Sequence, residues 1–281
     1  MRPTVHPRIG LILLAFALVP TAGIAHPAIG ILVDRQGSVF FSDTEHVWRI
    51  GPEGTKTIAV RDVHTHELWL DADGNLFGEH LQYVDGRWGH RIWKRGPDGT
   101  ITDAIGMRGG VREDYSDFFF ARDARGAMYW LDGRSPAVVR TRLDGGPVRT
   151  IVELAVKDPV WLAATPAGAV LLSSYGVVWR VSADGKPARL PEAVSRSRDR
   201  FAIMGLSEDK SGNIYAAAFE DRAVRRITPT GQVSTVVTTP NGWRPTGVAI
   251  AADGAVWVLE ASVSNAQRVR RVDPAGRVQV Y

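Results

Sequence analysis

The 281-residue chain contains no cysteine, and this absence excludes several classes of site at once. Without thiols there are no disulfides, no thiolate metal centres and no cysteine nucleophiles. A chain of this length can bury a large core without such cross-links. The sequence therefore predicts a fold stabilised by packing, with its chemistry left to histidine, carboxylate and arginine side chains.

Long hydrophobic runs are lacking beyond the N-terminus. The chain starts with two basic residues, Arg2 and Arg8, and an apolar run over 9–19 that is too short to span a bilayer comfortably. Small residues follow at 23–25. We expect residues 1–25 to be a cleaved secretory signal peptide and 26–281 to form one periplasmic or secreted domain without stable membrane insertion. An uncleaved anchor is the alternative.

A strong charge imbalance is lacking as well. Removing Arg2 and Arg8 with the signal lowers the formal net charge from +4 to +2. The basic residues form no stripe and have no aromatic residues interleaved among them, so nucleic acid is not an expected partner. A small-molecule ligand is the expected partner, and a protein partner is the alternative.

Helical periodicity is absent, and an internal repeat takes its place. Six segments share an apolar strand, a tight glycine turn and an alternating strand: VDRQGSVFFSD, LDADGNLFGEH, ARDARGAMYWLD, TPAGAVLLSS, EDKSGNIYAAAFE and AADGAVWVLE. A second glycine turn follows each of them. Because such turns need a positive φ, glycine is the residue expected there. The pattern predicts an all-β fold: a six-bladed β-propeller with four antiparallel strands per blade. Two β-sandwiches are the alternative.

The repeats resemble the NHL family of propellers, most clearly in SGNIYAAAFEDRAVRRITPTG. They are also similar to the wider superfamily of gluconolactonase (senescence-marker) proteins and virginiamycin B lyase. That resemblance implies a propeller fold, which hosts hydrolases, lyases and binding modules alike. The metal-ligating glutamate of the gluconolactonase type is missing from the first inner strand, IGILVDR. The lyase-type Glu-x-His pair is missing too, because Glu79 and His80 are adjacent.

The variable loops of a propeller lie on the face that carries the B–C loops and the D–A crossings, called the top here. Four of the seven histidines fall near the top of the second blade. His64 and His66 should point the same way, because i and i+2 are parallel in an extended segment. With Glu79 they predict a site for one divalent metal ion. The alternative is that these groups only form hydrogen bonds in a long loop.

A second group of polar and aromatic residues is also expected on the top face. Arginine forks with aromatic and acidic neighbours suit an anionic or sugar-like ligand. The residues expected to bind it are Tyr115, Asp117, Arg198, Trp243 and Arg244. The alternative is ordinary surface charge, with salt bridges to the acids that end the B strands. Those acids are Asp43, Glu79, Asp132, Glu220 and Glu260.

These observations favour an exported propeller that binds a small anionic or carbohydrate-like ligand on its top face. A metal-dependent hydrolase of the gluconolactonase (lactonase) type and a protein-interaction scaffold are the alternatives. If the chain is an enzyme, a lactone hydrolase or a lyase is expected. No catalytic residue can be assigned from spacing.

Overall fold

The computed structural model describes residues 27–84, 87–109, 120–123, 125–132, 137–142, 149–153, 161–165, 167–190 and 194–281. The predicted signal peptide and two predicted ligand-binding residues, Tyr115 and Asp117, lie outside them. The side chain of Asp132 also lies outside the described part. Every regular element among the described residues is a β-strand.

The strands form six four-stranded antiparallel sheets, each continuous in the chain. The first sheet contains β1 (Ile31–Val33), β2 (Val39–Ser42), β3 (Val47–Ile50) and β4 (Lys56–Val60). The second contains β5 (Leu68–Leu70), β6 (Leu76–Val84), β7 (Arg87–Arg95) and β8 (Ile101–Gly109). The third contains β9 (Phe120–Arg122), β10 (Ala127–Asp132), β11 (Ala137–Arg142) and β12 (Arg149–Glu153).

The remaining sheets repeat this order. The fourth contains β13 (Trp161–Ala164), β14 (Val170–Ser174), β15 (Val177–Val181) and β16 (Pro187–Arg189). The fifth contains β17 (Leu206–Glu208), β18 (Ile214–Ala218), β19 (Ala223–Ile227) and β20 (Val233–Thr238). The sixth contains β21 (Trp243–Ile250), β22 (Val256–Ser262), β23 (Gln267–Val272) and β24 (Val278–Val280). In the described residues no strand pairing joins one sheet to the next, so the sheets count as six.

The sheets surround one axis, as in a β-propeller. The first strand of each sheet is the inner one, and inner strands contact each other in the order β1, β5, β9, β13, β17, β21 and back to β1. The first and last sheets meet through side chains, among them Phe41, Trp257 and Leu259. Since each of these sheets takes all four strands from its own segment, packing closes the ring without strand exchange.

The glycine turns explain why each repeat folds into a sheet. The first turn glycine, Gly37, has a φ of 83°, and the second, Gly54, has a φ of 88°. A side chain at such a φ would strain the backbone, so glycine makes these tight turns at low cost. These turns lie at the end of the sheets opposite to the top.

The second sheet departs from the sequence-based expectation. Glu79 was expected at the end of a B strand, but Glu79 and His80 lie inside β6 and His90 lies inside β7, and each strand has nine residues. Pairing continues to Val84 opposite Arg87. The extra residues therefore lengthen a hairpin, and β6 and β7 project beyond the top of the neighbouring sheets. Among the described residues we find no helix long and apolar enough to span a bilayer.

Candidate functional site

All five histidines of the described residues lie near the top of the first two sheets. They are His46, His64, His66, His80 and His90. His46 comes from the B–C turn of the first sheet, His64 and His66 from the crossing between the sheets, and His80 and His90 from the long hairpin. The described residues thus bring imidazoles from three segments together, and one of them, His46, was not expected there.

An open pocket of about 300 Å³ lies between these segments. It is lined by Thr44, Glu45, His46, Asp62, Val63, His64 and His80. Two carboxylates, a hydroxyl and three imidazoles surround it, and only Val63 contributes an apolar side chain. Such a lining offers hydrogen-bond donors and acceptors at short spacing, as ligand sites commonly do.

The B–C turn of the first sheet is held by Asp43. Its carboxylate accepts hydrogen bonds from the backbone N–H groups of Glu45 at 3.0 Å and His46 at 2.7 Å, and from the indole N–H of Trp48 at 2.6 Å. A side chain that caps its own turn in this way fixes the loop. The turn therefore presents Thr44, Glu45 and His46 to the pocket from a rigid support.

The crossing into the second sheet is held by histidine rings on both sides. The backbone N–H of Asp62 donates to Nδ1 of His46 at 3.2 Å, and that of His64 donates to Nδ1 of His80 at 2.9 Å. An accepting ring nitrogen has a free lone pair, so the neutral rings carry their hydrogen on Nε2. His46 and His80 are therefore fixed as Nε2–H donors, which leaves their Nε2 without a lone pair for a metal ion.

Two pocket residues have an unusual backbone conformation. Thr44 has a φ of 73° and Asp62 a φ of 55°. Threonine is branched at Cβ, and a positive φ is rare and costly for such a residue. Residues of this kind concentrate at functional sites, where the surrounding structure holds them in place. The strain at Thr44 therefore marks the pocket as a candidate functional site.

The predicted pairing of His64 with His66 is correct. Their Nε2 atoms are 3.0 Å apart, and the ring planes meet at 79°. The backbone carbonyl of His66 accepts hydrogen bonds from Gly30 at 2.7 Å and Ile29 at 3.1 Å, which ties the crossing to the first sheet. Burial lowers the pKa of His64, and a hydrogen bond with the Thr44 backbone opposes this shift. Burial also lowers the pKa of His80, with smaller effects of Arg91 and then His64 in the same direction.

Glu79 does not join the pair to make the metal site expected from the sequence. Its carboxylate Oε1 lies 2.7 Å from Nδ1 of His90, and the residue is buried. Adjacent residues of a strand face opposite sides of the sheet, so His80 faces the pocket and Glu79 does not. Within the described ranges no group of three or more His, Asp or Glu residues could hold a metal ion.

Sequence reasoning missed a buried acid, Glu67, which directly precedes the inner strand β5. Its side chain is almost fully buried, at 5% exposure, and neither carboxylate oxygen has a hydrogen-bond partner among the described residues. Burial raises the pKa of Glu67 well above its usual range, and the charge of Glu79 adds to the shift. The available signal was an acid at the start of an otherwise apolar inner strand.

The described residues of the predicted ligand-binding set lie on the fourth-to-fifth crossing and the sixth sheet. Nη1 of Arg244 lies 2.6 Å from Oε2 of Glu220, and its guanidinium lies over the Phe219 ring at 5.0 Å. The guanidinium of Arg268 covers the Trp243 ring at 3.8 Å. Arg198 is exposed and donates to the Ser195 carbonyl at 3.3 Å.

The acids that end the B strands serve different purposes in different sheets. Asp43 caps its own turn. Glu260 is fully buried and accepts hydrogen bonds from Arg268 and Arg270, each at 2.6 Å. With Glu220 paired to Arg244, the described acids do not form one exposed ring.

The comparisons with known proteins agree with this fold. No protein-family model matches the chain. A virginiamycin B lyase from Nocardia farcinica is 30% identical over 193 residues, which cover 59% of this chain. The chain spans 63% of the length of that enzyme.

Solved structures show the same architecture at low identity. The virginiamycin B lyase of Staphylococcus aureus matches with a TM-score of 0.56 at 17% identity, over 91% of this chain and 84% of that one. Regucalcin from Agrobacterium tumefaciens, a calcium-binding protein, matches with a TM-score of 0.57 at 15% identity, over 83% of this chain and 81% of that one. A chain of a nidogen–laminin complex matches with a TM-score of 0.64 at 13% identity, over 87% of this chain and 92% of that one. The resemblance seen in the repeats is therefore confirmed at the level of the fold: this chain is a β-propeller, an architecture that it shares with virginiamycin B lyase, regucalcin and a chain of the nidogen–laminin complex.

Proposed function

We propose that this protein is an exported β-propeller that binds a small anionic or carbohydrate-like ligand on its top face, in the pocket between the first two sheets. One observation carries the proposal: three segments place His46, His64 and His80 around one pocket, and two of the rings are held by backbone N–H groups. Side chains fixed before the ligand arrives lose little entropy on binding, which favours affinity. Export rests on the basic start and short apolar run of residues 1–25.

The test is a ligand screen by thermal melting with a blocked variant. Glu45 lines the pocket and its side chain is exposed, so Glu45→Trp should fill the pocket without disturbing the core. Glu53→Trp, on the exposed turn before Gly54, is the matched control. Ligands should raise the melting temperature of the native chain and of Glu53→Trp but not of Glu45→Trp. If every active ligand stabilises all three proteins equally, the pocket is not the site.

A metal-dependent hydrolase of the gluconolactonase type receives less support. The sequence offered His64, His66 and Glu79 as ligands of one divalent ion, but Glu79 lies beside His90 and faces away from the pocket. Chelation tests this alternative directly, because removal of a bound ion would lower the melting temperature. A protein scaffold likewise stays an alternative, with the long hairpin of the second sheet as its natural contact surface.

Lyase activity is a second candidate, favoured by the 30% identity to the Nocardia enzyme. Acid–base chemistry needs one group that holds a proton and another that takes one. Burial raises the pKa of Glu67, which favours the protonated carboxyl, and Glu79 lies beside His90 at 2.7 Å. These three groups are the candidate catalytic machinery of such an enzyme.

Incubation with virginiamycin B and mass spectrometry of the products tests the second candidate. The native chain should convert the substrate, and Glu79→Gln should not. Glu53→Gln is the control, because it removes an exposed carboxylate at the opposite end of the sheets. No conversion by the native chain would leave the binding proposal as the better account.

A further inference from the structure

We infer that the pocket between the first two sheets selects a neutral, hydroxyl-rich ligand of the sugar or polyol class, and that it rejects anions. This inference rests on the proposed function, because it names the ligand class of the same pocket. The sequence left two ligand classes open, anionic and carbohydrate-like, and this inference keeps only the carbohydrate-like class.

The charges around the pocket argue against an anionic ligand. Glu45 and Asp62 line the pocket, and its described lining includes no lysine or arginine. Two cations of the neighbouring strands have partners of their own: Nη1 of Arg91 donates to Asp103 at 2.9 Å, and the ammonium of Lys56 lies over the Trp48 ring at 4.5 Å. An anion would meet two carboxylates and no lysine or arginine within the described lining to offset their repulsion.

The hydrogen-bonding groups fit vicinal hydroxyls. His46 and His80 each present a fixed Nε2–H donor, because their Nδ1 atoms accept backbone N–H groups. The carboxylates of Glu45 and Asp62 accept, so the pocket combines donors with acceptors around a space of about 300 Å³. A hydroxyl group can donate and accept at once, and a ligand with several hydroxyls satisfies both kinds of partner.

Burial lowers the pKa of His80 and so favours its neutral form. Burial is the main cause of this lowered pKa, Arg91 and His64 act in the same direction, and a hydrogen bond with Gln82 and the charge of Asp103 oppose it. His46 lies 4.0 Å from Asp62 and packs against the edge of Trp48. Neutral rings keep the fixed donor geometry, which the selection of hydroxyls needs.

Two replacements at His80 distinguish the role of Nδ1 from the role of Nε2. An asparagine oxygen can take the place of Nδ1 and keep the hydrogen bond from His64, but it removes the Nε2–H donor. A glutamine amide reaches the Nε2 position and keeps a donor toward the ligand. His80→Asn should therefore weaken binding about fivefold or more, as expected for one lost hydrogen bond, while His80→Gln should weaken it less. Lys210→Ala, on an exposed turn at the other end, serves as the control.

The experiment is calorimetric or NMR titration with matched neutral and acidic sugars. The pairs are glucose with glucuronate, galactose with galacturonate, cellobiose with cellobionate and maltose with maltobionate. We expect at least one neutral sugar to bind and its acid partner not to bind. Affinity for the neutral sugar should decrease from the native chain to His80→Gln and then to His80→Asn. Lys210→Ala should bind like the native chain.

The outcomes separate this inference from the proposal beneath it. If acid members bind at least as tightly as the neutral ones, and Glu45→Trp abolishes that binding, the ligand class is wrong and the pocket is right. The ligand class is equally wrong if the only ligands blocked by Glu45→Trp are apolar or cationic. If Glu45→Trp blocks no ligand at all, the proposed function fails with the inference.

Discussion

Nδ1 of His80 accepts the backbone N–H of His64 at 2.9 Å, which joins the long hairpin of the second sheet to the crossing that enters it. Leu81 returns a hydrogen bond from its own N–H to the carbonyl of His64 at 3.1 Å. Two hydrogen bonds therefore hold His64 of the crossing against the hairpin. This link explains how an open surface site can present its side chains in one arrangement.

Removing the ring of His80 should destabilise the protein through the His64 N–H that it leaves without a partner. We expect His80→Ala to lower the free energy of unfolding by about 1–2 kcal/mol. His80→Asn keeps an acceptor in place and should lower it by less. Urea unfolding of the three proteins measures the difference. Equal losses in both variants would mean that the hydrogen bond contributes nothing.

Glu67 should make stability depend on pH in a defined direction. Its pKa is raised in the folded protein, so the unfolded chain binds fewer protons between the two pKa values. Its stabilising contribution is present below the ordinary pKa of about 4.5 and is lost as the pH rises through the folded pKa. Glu67→Gln mimics the protonated form, so its advantage over the native chain should grow from pH 5 to pH 7.

The stability advantage of Glu67→Gln over the native chain can grow by at most about 1.4 kcal/mol per pH unit, because a single carboxyl titrates. Denaturant unfolding at both pH values measures it. Glu53→Gln, at an exposed carboxylate, should differ from the native chain by the same amount at pH 5 and pH 7. An advantage of Glu67→Gln that stays constant or shrinks would show that Glu67 is already ionised in the folded protein.

Two glycines of the second sheet provide a matched test of packing. A Cβ at Gly78 would lie 2.3 Å from Cζ2 of the buried Trp93, whereas a Cβ at Gly106 would meet no described atom within 4 Å. Gly78→Ala should therefore lower the free energy of unfolding by about 1–3 kcal/mol, because Trp93 has no room to move. Gly106→Ala should change it by less than about 0.5 kcal/mol. Thermal melting of both variants suffices, and similar melting temperatures would contradict the packing described.

Replacing Thr44 by glycine should raise the stability of the protein and weaken ligand binding. Its φ of 73° suits glycine, so Thr44→Gly should raise the free energy of unfolding by about 1 kcal/mol while weakening sugar binding. Asn265→Gly is the control, because Asn265 also has a positive φ, of 62°, but lies outside the pocket lining. It should leave binding unchanged. Unaltered affinity in Thr44→Gly would remove Thr44 from the site.

The repeat pattern in the sequence accounts for the strands, the turns and the top face. Turn glycines such as Gly37 and Gly54 adopt the positive φ that the pattern required. The alternation rule placed His64 beside His66 correctly. The Asp85–Gly86 pair is typical of a two-residue hairpin turn, and it was the neglected signal that β6 and β7 continue as paired strands.

Contacts between sheets could not be predicted in the same way. Arg180 meets Glu208 at 3.2 Å only because the fourth and fifth sheets pack at a particular height, and no local spacing encodes that height. The same holds for Arg244, whose partner Glu220 belongs to the neighbouring sheet. The position of a charged residue in one repeat does not indicate which charged residue of the next repeat it will contact.

The imidazole rings give the most direct test of the pocket. Long-range ¹H–¹⁵N spectra of the histidines, recorded near pH 7.5 with and without the neutral sugar that binds, report both the tautomer and the contact. The account predicts the Nε2–H tautomer for His46 and His80, with ligand-induced shifts at these two rings and none at His90. Nδ1–H tautomers, or shifts at His90 while His46 and His80 stay unchanged, would contradict it.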